Sequence, residues 1–284
     1  MRLSAKKISR SNGGTVVILF FLCLLSLIMV IPFIYALLQS LKPIEEIFVY
    51  PPRFWVVRPT LDNFAALFRS ASELWVPFSR YVFNSLSIAV ICTTIQVLLA
   101  SMAAYPLSKH NFKGRNLLFN TIVISLLFTG DVLFLPQYLL ISTLGLTDTY
   151  WSLILPTMAY PLGLYLMRQN MLSFPDSVLE AARIDGAPER IIFWKIVMPN
   201  MKAPLMTMIV FSFAAMWGRS DAAFIYSEEL KGLPTLFSQI SAAGIARAGV
   251  GAASTVLLMI PPIIVFVLTQ SNVIEAMTNS GMKE

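Results

Sequence analysis

Few side chains in this 284-residue chain could do chemistry, and they stand apart from one another. The single histidine, His110, sits in a charged loop between Lys109 and Asn111, where a solvated ring is expected. The two cysteines, Cys23 and Cys92, fall inside long apolar runs. They offer no disulfide framework and no metal site, and read as small packing residues. No clustered nucleophile, base or metal-ligand set stands out, as a membrane-embedded enzyme would require. A glycine-rich loop that could cradle ATP phosphates is also missing, so hydrolysis of ATP by this chain is not expected.

Three charged residues lie in or beside apolar runs. Asp131 interrupts one of them, and a carboxylate at membrane depth is costly enough to suggest function. The alternatives are that "TGD" (129–131) marks a helix break near a water-filled cavity, or that Asp131 pairs with an arginine. Arg219 lies 17 residues beyond Lys202, or about 25 Å at 1.5 Å per residue. That distance suits an arginine snorkelling to the outer rim. The sharper reading puts Arg219 and Asp221 on a pathway, touching substrate.

A fourth constellation is the segment "SVLEAARIDGAPERIIFWKIVMP", residues 177–199. Ser177 and Glu180 have capping-box spacing, so a short helix over 178–185 is expected. Gly186 suits a left-handed terminator. Pro188 suits the first turn of a second helix, and Pro199 would end it near Met198. Ala181 and Ala182 leave room for a neighbour to approach the first helix. Ile191, Ile192, Phe193, Trp194, Ile196 and Val197 are too apolar to face water together. A plain linker explains the cap but not this asymmetry; a docking lever explains both.

The elements that must position these residues are membrane helices. The chain is 57% hydrophobic and 13% charged, where soluble domains carry about 25% charge. Mean hydropathy is +0.72. Charge-free runs of the length needed to cross about 30 Å of hydrocarbon predict spans near 16–38, 82–106, 117–140, 150–171, 203–226 and 250–271. The runs do not alternate, which argues against barrel strands. The first run is too long for a signal peptide and lacks a small-residue cleavage pattern, so it reads as a retained anchor. An external loop is expected over 42–80 and a cytoplasmic one over 174–200. Phe48, Tyr50, Phe54 and Trp55 suit the headgroup zone of that external loop, and 60–68 suits a short surface helix. The net charge of +6 is read as topology rather than nucleic-acid binding. Six spans place 13 Lys/Arg on the side of both termini and 8 on the other, so both termini are expected in the cytoplasm. The whole chain is expected to be one all-α membrane domain.

Residues 180–199 resemble the "EAA" loop of ABC-importer permeases, written E-A-A-x3-G-x9-I-x-L-P. Glu180, Ala181, Ala182, Gly186, Ile196 and Pro199 occupy its positions, with Met198 for leucine. "AAYPLSKHNFKGRN" (103–116), "LPQYLLISTLGLTDTYWSLILP" (135–156) and the tail "EAMTNSGMKE" are similar to the carbohydrate-importer, maltose-type branch. "WGRSDAAFIY" (217–226) departs from it, with Arg219 and Asp221 where Asn and mostly neutral residues are usual; an acidic sugar or oligosaccharide becomes an alternative cargo. The resemblance implies the type I ABC importer permease fold with a cytoplasmic coupling helix, in a bacterial cell membrane. It further implies a second, usually non-identical permease subunit, two ATPase subunits that carry ATP and Mg, and an external solute-binding protein that delivers sugar. Glu180, Ala181, Ala182, Asp185, Gly186, Ile196 and Pro199 would then couple this chain to the ATPase. An ion-coupled secondary carrier is the main rival; it should show broken helices in matching positions and an ion site.

Overall fold

The computed structural model describes residues 12–128, 130–242 and 244–280, and all regular structure among them is helical. Arg2, Lys6, Lys7, Arg10 and Lys283, which weigh in the charge count, lie outside the described residues. So do Thr129 of the "TGD" motif and the last four residues of the tail.

In chain order, α1 spans Asn12–Ser40, α2 Ile44–Ile47, α3 Asp62–Ser72 and α4 Phe78–Lys109. Helices α5 (Arg115–Ser125) and α6 (Gly130–Thr143) follow, then α7 (Trp151–Thr157) and α8 (Pro161–Leu172). The short α9 (Asp176–Ile184) turns into α10 (Glu189–Asn200), and α11 (Lys202–Trp217) leaves it at 79°. The last two are α12 (Leu233–Ser241) and α13 (Ala248–Ser280).

Among the described residues, three helices are individually long and apolar enough to cross a membrane: Gly14–Ser40, Phe78–Lys109 and Ala248–Ser271. Two bent pairs, α5 with α6 and α10 with α11, bring the number to as many as five. The expectation of one helix over 117–140 therefore differs from what forms, because the chain breaks between Ser125 and Gly130. Nor is 150–171 continuous. Pro161 opens α8 and drives Tyr160 out of the helical region, to φ −124° and ψ 81°. The run expected over 203–226 stops being helical at Trp217, and a polar loop with one short 3₁₀ turn occupies 218–232.

The chain forms two compact units. The first comprises residues 1–70 and 240–256. Its connection after α1 is held by polar contacts. Asn63 donates to the carbonyls of Ser40 (2.8 Å) and Lys42 (2.7 Å), and Glu46 accepts from the amides of Val57 (2.7 Å) and Arg58 (3.3 Å). The ammonium of the buried Lys42 donates to the carbonyl of Arg53. The surface helix expected over 60–68 is α3, which buries Leu67.

The second unit comprises residues 71–239 and 257–284. Its core joins α4, α8, α9, α10 and α11 through Ala104, Tyr105, Met167, Met171, Leu179, Ile192, Val197 and Met208. A smaller cluster of Ile141, Leu153, Phe224 and Ile225 seats the 218–232 loop against α6 and α7.

Candidate functional site

Helix α9 begins two residues earlier than the capping box predicts. Pro175 takes the N-cap position, and no side chain caps the helix. Ser177 is therefore already helical, and the Ser177–Glu180 box does not form. Asp176 stands at the first helical position, where a carboxylate favours the positive end of the helix dipole. It accepts a hydrogen bond from Lys109 (2.7 Å) at the end of α4. The Lys109 ammonium also donates to the carbonyl of Phe174 (2.6 Å), and its side chain is only 3% exposed. The Lys109 ammonium thus holds the Asp176 carboxyl below the usual aspartate range.

The far end of α9 closes as a Schellman motif. The Ala187 amide donates to the Ala182 carbonyl and the Gly186 amide to the Arg183 carbonyl, both at 3.0 Å. Gly186 has φ +76°, a value glycine reaches at little cost. Pro188 is the N-cap of α10 rather than part of its first turn. Pro199 does not end α10 at Met198 either. Lacking an amide hydrogen, it cannot close an α-turn back to Lys195. Residues Ile192–Val197 adopt a wider π-turn, with the Met198 amide on the Phe193 carbonyl, and the helix continues to Asn200.

This construction divides the expected coupling residues. Glu180, Ala181, Asp185, Gly186 and Pro199 are exposed, and Ile196 is half-buried. Ala182 faces the bundle core beside Leu179, so it is unavailable to a neighbour. Of the apolar residues on α10, Ile192, Phe193 and Val197 are buried, but Ile191 and Trp194 are about two-fifths exposed. Unexpectedly, α9 presents Ile184 at 85% exposure and Val178 at 42%.

Residues that sequence reasoning passed over fasten this corner. Glu189 accepts from Arg183 (2.8 Å) and from the Tyr105 hydroxyl (2.7 Å). His110 is not simply solvated. Its Nε2 lies 3.6 Å from Glu189, its ring meets Tyr105 edge-on, and its Nδ1 is buried without a partner among the described residues. Arg115 and Arg168 both donate to the Leu107 carbonyl, which fixes the turn between α4 and α5.

The charged residues flagged in the apolar runs fall in two places. Asp131 is exposed in the first turn of α6, after the break that the "TGD" reading anticipates, and no ion pair with an arginine forms among the described residues. Arg219 and Asp221 share a narrow cavity with Ser85, Ile88, Leu153, Met216, Trp217 and Gly232. Its volume, about 20 Å³, accommodates roughly one water. Asp221 is 4% exposed and already engaged: it accepts from the Gly232 amide (2.7 Å) and from the Thr235 hydroxyl. A Cβ on Gly232 would stand 2.7 Å from the Ser85 hydroxyl, so only glycine fits this crossing. The 218–232 loop is fastened further by Asn84, which donates to the carbonyls of Glu229 (2.8 Å) and Lys231 (3.0 Å), and by Ser85, which accepts from the Leu233 amide (2.7 Å).

Deeper in the same unit, a polar cluster crosses the apolar packing. Gln96, 2% exposed, donates to the Thr157 carbonyl (2.7 Å), one of the groups freed where α7 ends, and accepts from Ser212. Ser212 also lies 3.3 Å from Thr93, and Thr157 donates to Cys92 (3.5 Å). A glutamine inside a charge-free run, followed at a distance by "TMAYP", is the signal that could have revealed this braced break.

Residues 96–279 match the family described as the binding-protein-dependent transport system inner membrane component. The chain is 34% identical over 204 residues to Protein LplC of Bacillus subtilis (strain 168), covering 70% of this chain and 65% of that protein. It is 30% identical over 267 residues to the arabinooligosaccharides transport system permease protein AraQ of the same organism, covering 93% and 94%. A bacterial ABC transporter involved in the import of the acidic polysaccharide alginate contains a chain of the same fold. Its TM-score is 0.74 at 21% identity, over 95% of this chain and 99% of that one. The chain belongs to the binding-protein-dependent transport family and has the ABC importer permease fold: it is a membrane-spanning transport subunit.

Proposed function

We propose that this chain forms half of the translocation pathway of an ATP-driven importer for an oligosaccharide, and that the α9–Gly186–α10 corner receives the motion of a separate ATPase. One observation carries the reading. Helix α9 is fastened inward by Leu179, Ala182 and Lys109, while its outer face leaves Glu180, Ala181 and Ile184 free. A short rod held by one face, with a carboxylate beside small and apolar side chains on the other, suits a socket on another protein. Asp185 and Gly186 turn the chain, and Ile196 and Pro199 lie on the continuation that leads through the 79° bend into α11.

Saccharide cargo is supported by the likeness to the arabinooligosaccharide permease. The partners follow from the family: a second permease subunit, two ATPase subunits holding ATP and magnesium, and an external binding protein. In this reading the corner and both termini lie on the cytoplasmic side of the bacterial cell membrane. The ion-coupled alternative draws on Asp131, whose exposed place in the first turn of α6 needs no bound ion to account for it.

Reversing the charge at the free face tests the assignment. Glu180→Lys should insert at wild-type levels and lose ATP-dependent uptake in the assembled importer by at least about tenfold. Undiminished uptake by that variant refutes the coupling role.

A further inference from the structure

We infer that Arg219 selects an anionic saccharide, its guanidinium receiving a carboxylate or other acidic substituent of the cargo as it passes the cavity beside Trp217. The inference rests on the reading of the chain as an importer subunit.

Arg219 follows α11 by two residues and is well placed. Trp217 anchors that end of the helix by donating its indole N–H to the Leu258 carbonyl (2.9 Å). The guanidinium is half-buried and lines a cavity walled mainly by Ile88, Leu153 and Met216. Among the described residues it makes no side-chain hydrogen bond and no ion pair. The carboxylate in the same cavity, Asp221, spends its oxygens on Gly232 and Thr235 and closes the loop rather than neutralising Arg219.

An arginine cannot shed its charge in a protein, and a cation between apolar walls is costly without a partner. A snorkelling arginine would end among headgroups; this one lines a cavity. The polar groups deeper in the unit, Gln96, Thr93, Ser212 and Thr157, are joined to one another and to freed backbone. Five fixed N–H donors therefore remain, in a fork that matches a planar carboxylate. The cavity holds about one water in this conformation, so the acidic group reaches Arg219 only when the pathway opens.

The test uses the complete importer, with its ATPase, second permease and binding protein, in phosphatidylcholine vesicles with and without phosphatidylglycerol. ATP-dependent uptake of digalacturonate is compared with that of its dimethyl ester. The wild type should favour the free acid. Arg219→Gln should lower the acid-to-ester ratio by at least about tenfold, the scale of one charge-assisted hydrogen bond, and Arg219→Lys should restore part of it. A ratio unchanged by Arg219→Gln, or a wild type that carries only the ester, overturns the inference and leaves the importer reading standing. An effect confined to vesicles with phosphatidylglycerol assigns Arg219 to a lipid headgroup and also overturns it. Absence of ATP-dependent uptake of either sugar, with no ATPase stimulation by the binding protein, removes the importer reading itself and the inference with it.

Discussion

Asp148 holds a left-handed backbone, φ 58°, which aspartate and asparagine tolerate better than most residues. Its carboxylate accepts from the amides of Tyr226 (2.9 Å) and Ser227 (2.8 Å) and from the Ser227 hydroxyl, so one side chain clasps the 218–232 loop to the turn before α7. The Ser227 hydroxyl, then the two amides, hold the Asp148 carboxyl below its usual range. With the folded value depressed, the clasp contributes fully above the ordinary aspartate value of about 3.9 and is lost as pH falls through the lower folded value. Hydrogen exchange at Tyr226 and Ser227, corrected for its intrinsic rate, should be slow near neutrality and become fast only once pH falls well below about 4, through the depressed folded value. In Asp148→Ala it should be fast at both. Exchange in the unaltered protein that ignores pH over this range contradicts the clasp. Nothing in the sequence around Asp148 shows that this aspartate serves residues 78 positions away. Asp131 and Asp221 teach the same lesson in reverse: Asp131 stood out as a costly charge and is exposed in the first turn of α6, while Asp221, read beside a pathway, is engaged by its own loop.

At the scale of elements, the link between α4 and α9 matters most. Lys109 ties the two by bonding Phe174 and Asp176, and hydrophobic contact through Leu179 supplies the rest. Lys109→Met should leave α9 seated but slack. Importer complexes carrying it should hydrolyse ATP at a substantial rate while moving several-fold less sugar per ATP. An unchanged transport-to-hydrolysis ratio shows that the tie carries no motion. The apolar runs that build these helices were legible because desolvation sums over many residues and leaves a long compositional trace. Their breaks were less legible. The interruption between α7 and α8 is stable because Gln96, about 60 positions earlier, meets the Thr157 carbonyl, and the π-turn in α10 answers the missing amide of Pro199. Local signals were present at Pro161 and Pro199; the partner that braces the first break, Gln96, is not local. The corner glycine was readable because its φ is a property of one residue.

For the molecule as a whole, the distribution of apolar surface agrees with a subunit built to be surrounded. Side chains along α1 and the middle of α13 are largely exposed in the isolated chain, and so is one row of apolar side chains on α4, Phe83, Leu86, Val90, Leu98 and Met102 among them. Within the described residues, the buried polar groups named above serve packing and loops. The purified chain, reconstituted alone, is expected to release no phosphate from ATP above the protein-free background; turnover that survives removal of every other subunit defeats the proposed division of labour.

Helix α1 deserves a last consequence. From Gly14 to Ile34 every side chain is exposed, and the apolar stretch runs the whole way round, with mean hydropathy 3.1 over its window. Such a rod partitions into hydrocarbon unaided. It has no preferred roll about its own axis, so nothing on its own surface selects which side meets a neighbouring helix.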